Sequence, residues 1–116
     1  MSKSGINIEL PRVELNGLFK DLNRYNKRKI DQIANEVEAG SFTILSDAKG
    51  IVPVKTGRLR SSGNTKFNKS KLTGVVGFET NYAAKVEFKN KAYLRPSYNK
   101  NIQGIIDRIR RLLNRK

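Results

Sequence analysis

The segment IVPVKTGRLRSS, residues 51–62, separates a part of the chain with helical periodicity from a part with the composition of β-strands. Within it, Pro53 fixes one backbone dihedral angle, and Gly57 permits a positive φ. Thr56 carries a hydroxyl group that can bond to the nearby backbone. These residue types predict a sharp turn between a helix and a sheet.

The same segment carries two arginines. We expect Arg58 and Arg60 to lie on an emerging strand, so their side chains should share one side, with Leu59 on the other side as a buried anchor. One interpretation is a plain connector with solvated arginines. The other is a contact surface for carboxylates or phosphates, because guanidinium groups bind both with paired hydrogen bonds.

Upstream of the segment, apolar residues recur at spacings of three and four. This periodicity predicts a long amphipathic helix over residues 13–49, behind an N-terminal arm of residues 1–12. Gly40 and Ser41 fall inside the pattern and permit a kink or a break, but we expect one continuous helix. Gly50 is predicted to close its last turn.

Downstream, residues 50–96 are predicted to form a small antiparallel sheet. SSGNTKFN (61–68) and LTGVVGFE (72–79) have the composition of a β-hairpin. NYAAKVEF (81–88) fits either a helical turn or a strand, and KAYLRP is predicted to be a last strand ending at Pro96. Residues 97–116 then return to a helical pattern with an apolar stripe. The predicted fold class is α+β, in a single domain.

The composition excludes much of ordinary enzyme chemistry. The 116 residues fit one domain and contain no cysteine and no histidine, which removes disulfides, thiolate metal sites and the usual general base. The carboxylates of the basic half, Glu79, Glu87 and Asp107, are widely spaced along the sequence. We therefore predict no catalytic residue, no metal site and no cofactor. A small toxin-type ribonuclease relying on arginine, lysine and tyrosine is the one enzymatic alternative.

No apolar run is long enough to span a bilayer, and the start MSKSGINIEL does not resemble a signal peptide. We expect the chain to be made and kept in a reducing cytoplasm. The C-terminal amphipathic helix could lie on anionic lipid, but packing against the sheet or the long helix uses its apolar stripe more economically. No membrane partner is therefore predicted.

The net charge is +14, from 24 basic and 10 acidic side chains. Residues 1–48 are balanced, so the whole excess lies in residues 49–116. Such a field attracts nucleic acid, anionic lipid or an acidic protein surface. Aromatic residues interleaved with the charges could stack on bases in a nonspecific nucleic-acid-binding module, but aromatic residues in a small sheet more often belong to the core. The candidate basic contacts are Lys85, Lys89, Lys91, Arg108, Arg110 and Arg111.

The order of these segments resembles the tail-component family of long-tailed bacteriophages related to gene product ten of the lambdoid coliphages. Its members typically read P-V-x-T-G-x-L-R-x-S, then Y-A-x-x-V-E-F-G, then R-P-F-L-x-P-A. This chain has PVKTGRLRSS, YAAKVEF and AYLRP in the same order, and the resemblance covers roughly residues 15 to 113. It departs from the pattern at Lys89, where the family usually has glycine, and in the third motif.

The resemblance implies a structural virion protein of the neck or tail, a tail-completion or head-to-tail joining component assembled in the host cytoplasm. It implies copies in a ring or an assembly factor at the head-proximal end of the tail, contacts with a tail terminator, connector or tail tube, and no cofactor. The basic surface of a protein beside the DNA channel can also contact passing DNA without reading its sequence. Glu87 is expected to pair with an arginine of the first motif. The residues carried over are Pro53, Thr56, Gly57, Arg58, Leu59 and Arg60; Tyr82, Ala83, Val86, Glu87 and Phe88; and Leu94, Arg95 and Pro96.

Overall fold

A computed structural model describes residues 5–10, 26–52, 57–68 and 72–114. It confirms the α+β class: two long helices cover one face of a three-stranded antiparallel sheet, and the core lies between them. In chain order the elements are β1 (Ile6–Leu10), α1 (Lys27–Ile51), α2 (Arg58–Ser61), β2 (Gly63–Asn68), β3 (Thr73–Phe78), α3 (Ala83–Lys85), a turn of π-helix (Val86–Asn90) and α4 (Leu94–Asn114).

Helix α1 has a side-chain cap at its start. Asn26 precedes the helix, and its Oδ1 accepts a hydrogen bond of 2.9 Å from the backbone N–H of Lys29. The helix runs to Ile51, one residue past the predicted end at Gly50. Val52 then adopts ψ 134°, the extended conformation favoured before a proline. Residues 13–25 of the predicted helix lie outside the described residues.

Gly40 and Ser41 do not interrupt the helix. Their small side chains leave room for atoms of the neighbouring elements. A Cβ atom on Gly40 would lie 2.5 Å from Cδ1 of Ile105 in α4, and one on Gly74 of β3 would lie 2.3 Å from Oγ of Ser41. The buried Ser41 hydroxyl donates to the carbonyl of Val37 at 2.9 Å. The small pair therefore lets α4 and β3 approach α1 closely, and no kink results.

The sheet has the strand order β1-β3-β2. The predicted hairpin is confirmed, with Gly63 opposite Phe78 and Asn68 opposite Thr73. The predicted N-terminal arm is wrong in one respect, because its residues Ile6–Leu10 form an outer strand that pairs antiparallel with β3. That strand shows the alternation of a half-buried strand, but it is short and its partner lies far along the sequence.

Helix α4 corrects two expectations. KAYLRP is not a strand, because α4 already begins at Leu94, three residues before the predicted boundary. Pro96 lies in the first helical turn, where a missing N–H breaks no intrahelical bond. The helix then packs on α1, and Arg108 Nε lies 3.0 Å from Oε1 of Glu36. Part of the charge asymmetry along the sequence is thus neutralised inside the molecule.

Candidate protein contact surface

The first motif forms a helical turn, so the predicted emerging strand is wrong. Gly57 has φ 77°, which only glycine adopts without strain, and it precedes the single turn of α2. In a helix, residues two apart face different directions, so Arg58 and Arg60 do not share one side. Leu59 is buried as predicted. Pro53 and Thr56 lie outside the described residues.

Side chains of this motif tie three elements together. Arg60 Nε donates to the carbonyl of Lys49 at 3.0 Å and so satisfies a carbonyl in the last turn of α1. The Ser62 hydroxyl donates to the carbonyl of Leu59 at 2.8 Å and accepts from the N–H of Glu79 at 3.1 Å. The motif is therefore a joint between α1 and the end of β3.

The second and third motifs meet at the carboxylate of Glu87, whose side chain is fully buried. Its Oε1 accepts from the N–H groups of Tyr93 at 2.9 Å and Leu94 at 2.7 Å. Its Oε2 accepts from the N–H of Arg95 at 3.2 Å and from Nε of the same residue at 2.8 Å. Glu87 thereby caps the N-terminus of α4, where the helix dipole favours a negative charge.

These contacts set the protonation of the carboxyl group. Burial acts to raise the pKa of Glu87, whereas the hydrogen bond from the Arg95 side chain and those from three backbone N–H groups act to lower it. The hydrogen bonds prevail, and the pKa lies below its usual value of 4.5. Glu87 is therefore ionised at neutral pH and acts as a permanent structural anion.

The partner of Glu87 is Arg95, and the expected pairing with an arginine of the first motif is wrong. Arg95 follows Glu87 closely along the chain, in the first turn of the helix that the carboxylate caps, whereas Arg60 is engaged with α1. Only a side chain that reaches the start of α4 can share this site. The ion pair is intramolecular, as one reading of the residues allowed.

Most of the aromatic residues considered for base stacking belong to the core. Tyr93 is buried, its hydroxyl donates to the carbonyl of Ala83 at 2.8 Å, and its ring meets Phe78 edge-on with centroids 4.9 Å apart. Burial, and then the charge of Glu87, raise the pKa of Tyr93 well above its ordinary value. Tyr98 is also buried. These rings stabilise the fold and cannot reach a base.

Phe88, carried over with the second motif, lies on the surface instead of in the core. Its side chain is 60% exposed, and the guanidinium of Arg95 lies 4.6 Å from its ring centroid, a cation–π contact. Lys85, Lys89 and Lys91 nearby in sequence are exposed. None of these three lysines has an ion-pair partner within the described part of the chain. We call Lys85, Phe88, Lys89, Lys91 and Arg95 the Phe88 surface.

The remaining predicted basic contacts lie on α4 and fall into two groups. Arg108 is engaged with Glu36 of α1, whereas Arg110 and Arg111 are exposed on the last turns of the helix. In the residues that the structure describes, no group of three or more acidic side chains is placed to hold a metal ion. No helix in the same ranges combines the length and apolarity needed to cross a membrane.

A second exposed aromatic residue, Phe42 (55% exposed), lies on α1, on a surface with few charges. The exposed residues around it on α1 carry a single charge, at Glu38. We call this set the α1 outer face, and its members are Asn35, Glu38, Ala39, Phe42, Thr43 and Ser46.

Comparisons with family models, curated proteins and solved structures found no match to this chain.

Proposed function

We propose that this chain is a phage morphogenesis protein of the neck or tail, a tail-completion or head-to-tail joining component that acts through protein–protein contacts. The observation that carries the proposal is that most motif residues stabilise the fold while one aromatic residue among them is exposed. Leu59, Arg60, Glu87 and Arg95 stabilise the fold, while Phe88 between them remains exposed on a basic surface. An exposed aromatic residue stiffened by an arginine is typical of a contact surface.

A joining component needs two contact surfaces, and the molecule offers two of different character. Copies of a chain with net charge +14 repel each other, so self-association is best served by the surface with the least positive charge. That surface is the α1 outer face around Phe42. The basic Phe88 surface is then left for a different, acidic molecule. Two unlike surfaces also suit cyclic assemblies, which form from heterologous contacts.

Sedimentation of the purified protein tests the self-association. We expect discrete oligomers for the natural sequence and a shift to monomer for Phe42→Glu, because the substitution replaces the exposed ring of the α1 outer face by a like charge on every copy. Lys66→Glu changes an exposed residue of β2 and serves as the matched control that keeps the oligomers. A natural protein that stays monomeric at every concentration contradicts the proposed ring.

Nonspecific binding of nucleic acid is the second candidate function, and the lysines around Phe88 favour it. An exposed ring among unpaired cations can stack on a base while the lysines contact phosphates. Labelled single-stranded and duplex DNA, titrated across a salt series, separate the two functions. Weak and steeply salt-dependent binding fits a structural protein beside passing DNA. Tight binding by a monomer near physiological salt, lost in Phe88→Ala, favours the nucleic-acid function.

A further inference from the structure

We propose that the outer edge of β1 binds an extended, acidic segment of a partner protein, which adds to the sheet as a further strand beside β1. The proposal rests on the contact role given above and specifies the chemistry of the partner at the Phe88 surface. Strand addition of this kind draws its affinity from main-chain hydrogen bonds and its specificity from alternate side chains.

The first observation is a groove of about 360 Å³ that follows β1. Its β1 side is formed by residues Ile6, Asn7, Ile8 and Glu9. Ile8 is buried on the core side of the sheet, whereas Asn7 and Glu9 are exposed. Side chains of successive strand residues point to opposite faces, so one groove can contact all four only by running along the edge of the strand.

That outer edge has no strand partner among the described residues, because the strand paired with β1 is β3, on the opposite edge. The five residues of β1 span about 17 Å at roughly 3.3 Å per residue. A partner segment of similar length therefore finds beside it the outward-facing N–H and C=O groups of alternate β1 residues. Natural proteins usually cover or charge such an edge because it is a template for pairing.

The opposite side of the groove is formed by Phe88, Leu94 and Arg95. Leu94 is buried and gives the groove an apolar floor, while the Phe88 ring stands out beside it. Arg95 is fixed between the ring of Phe88 and the carboxylate of Glu87. This side is preorganised, so little side-chain entropy is lost when a segment binds.

Charge identifies the partner as acidic. Lys85, Lys89 and Lys91 are exposed and lie within three residues of Phe88 along the chain, and Arg95, which lines the groove, has a half-exposed side chain. Against them stands one exposed carboxylate on the β1 side, Glu9. A second copy of the chain fits poorly, because it carries the same exposed lysines and so does not supply the complementary negative charge.

The probe is a synthetic ten-residue peptide in which valine alternates with glutamate, labelled for fluorescence anisotropy. Its controls are the same peptide with lysine in place of glutamate and a version with alternate backbone amides N-methylated. We expect binding of the acidic peptide only, together with slower hydrogen exchange of the amides of residues 6–10. N-methylation removes the main-chain donors and should abolish both signals.

Variants of the protein locate the site. We expect Phe88→Ala and the double substitution Lys89→Glu with Lys91→Glu each to weaken peptide binding by about tenfold or more. Glu9→Gln should strengthen it about twofold, because it removes a like charge beside the acidic segment. Lys66→Glu is the matched control for an exposed lysine, and it should leave binding unchanged.

The outcomes separate this proposal from the general contact role. Any one of three results overturns the strand addition: the N-methylated peptide binds as well as the parent peptide, the Phe88 and lysine variants bind as well as the natural protein, or no binding occurs at millimolar peptide. The Phe42-dependent oligomers test the general contact role independently. Concentration-dependent protection of residues 6–10 without peptide overturns it in favour of a second copy. Competition by single-stranded DNA with full loss of peptide binding and no protection of β1 overturns it in favour of nucleic acid.

Discussion

Replacement of Glu87 should be among the most destabilising single changes in the described part of the chain. Glu87→Ala removes an acceptor of four hydrogen bonds and leaves the buried N–H groups of Tyr93 and Leu94 without it. An unsatisfied buried donor costs about 1–3 kcal/mol. The exposed half of the Arg95 side chain remains solvated and adds little. We expect a loss of about 3–5 kcal/mol, a large part of the stability of a small domain.

The pH dependence gives a second test of the same carboxylate. The pKa of Glu87 is lowered by folding, so its contribution to stability is fully present above its unfolded-state pKa near 4.5 and is lost as the pH falls through the lower folded-state value. The difference in unfolding free energy between the natural protein and Glu87→Gln should therefore be constant near neutral pH. The difference should shrink progressively as the pH falls below the unfolded-state pKa of about 4.5 toward the lower folded-state pKa.

Urea denaturation followed by circular dichroism, repeated from pH 7 to about pH 3, measures both effects. Glu79→Ala is the matched control, since Glu79 is an exposed glutamate directly after β3. It should change the unfolding free energy by less than about 0.5 kcal/mol. A loss for Glu87→Ala as small as the control's, or a Glu87→Gln difference independent of pH, would refute the capping role.

Three further substitutions test the packing and the turn, each by denaturant unfolding. Gly74→Ala should cost about 1–3 kcal/mol through the clash with the Ser41 hydroxyl, and much less in a Ser41→Ala background; purely additive losses would contradict that contact. Tyr93→Phe should cost about 1 kcal/mol by removing the hydrogen bond that the Tyr93 hydroxyl donates to the Ala83 carbonyl, and an unchanged midpoint would argue against the bond. Gly57→Ala should cost about 1 kcal/mol because φ is positive there; a stabilised variant would contradict that conformation.

Local patterns predicted the parts of the fold that depend on neighbouring residues. The periodicity of α1 and α4 and the hairpin of β2 and β3 are short-range signals, and the structure confirms them. Strand β1 was missed because its alternation extends over only 5 residues and its partner β3 lies far along the sequence.

The candidate site was predicted in its residues but only partly in its contacts. Leu59 is the buried anchor that its place between two arginines indicated, and Glu87 is ion-paired. The choice of Arg95 as the partner depended on α4 starting early. The cap that allows this start comes from a carboxylate 7 residues before Leu94 instead of from the residue just before the helix. Sequence rules for helix starts look only at those preceding residues.

The position of β1 in the sheet also bears on how the chain assembles during synthesis. Strand β1 is made well before its partner β3, because α1 and β2 are made between them. The hairpin of β2 and β3 closes a short loop and can form quickly, whereas joining β1 closes a loop that contains most of the domain. We therefore expect folding to finish with β1, and a nascent chain halted before β3 should expose Ile6–Leu10 to chaperones and proteases.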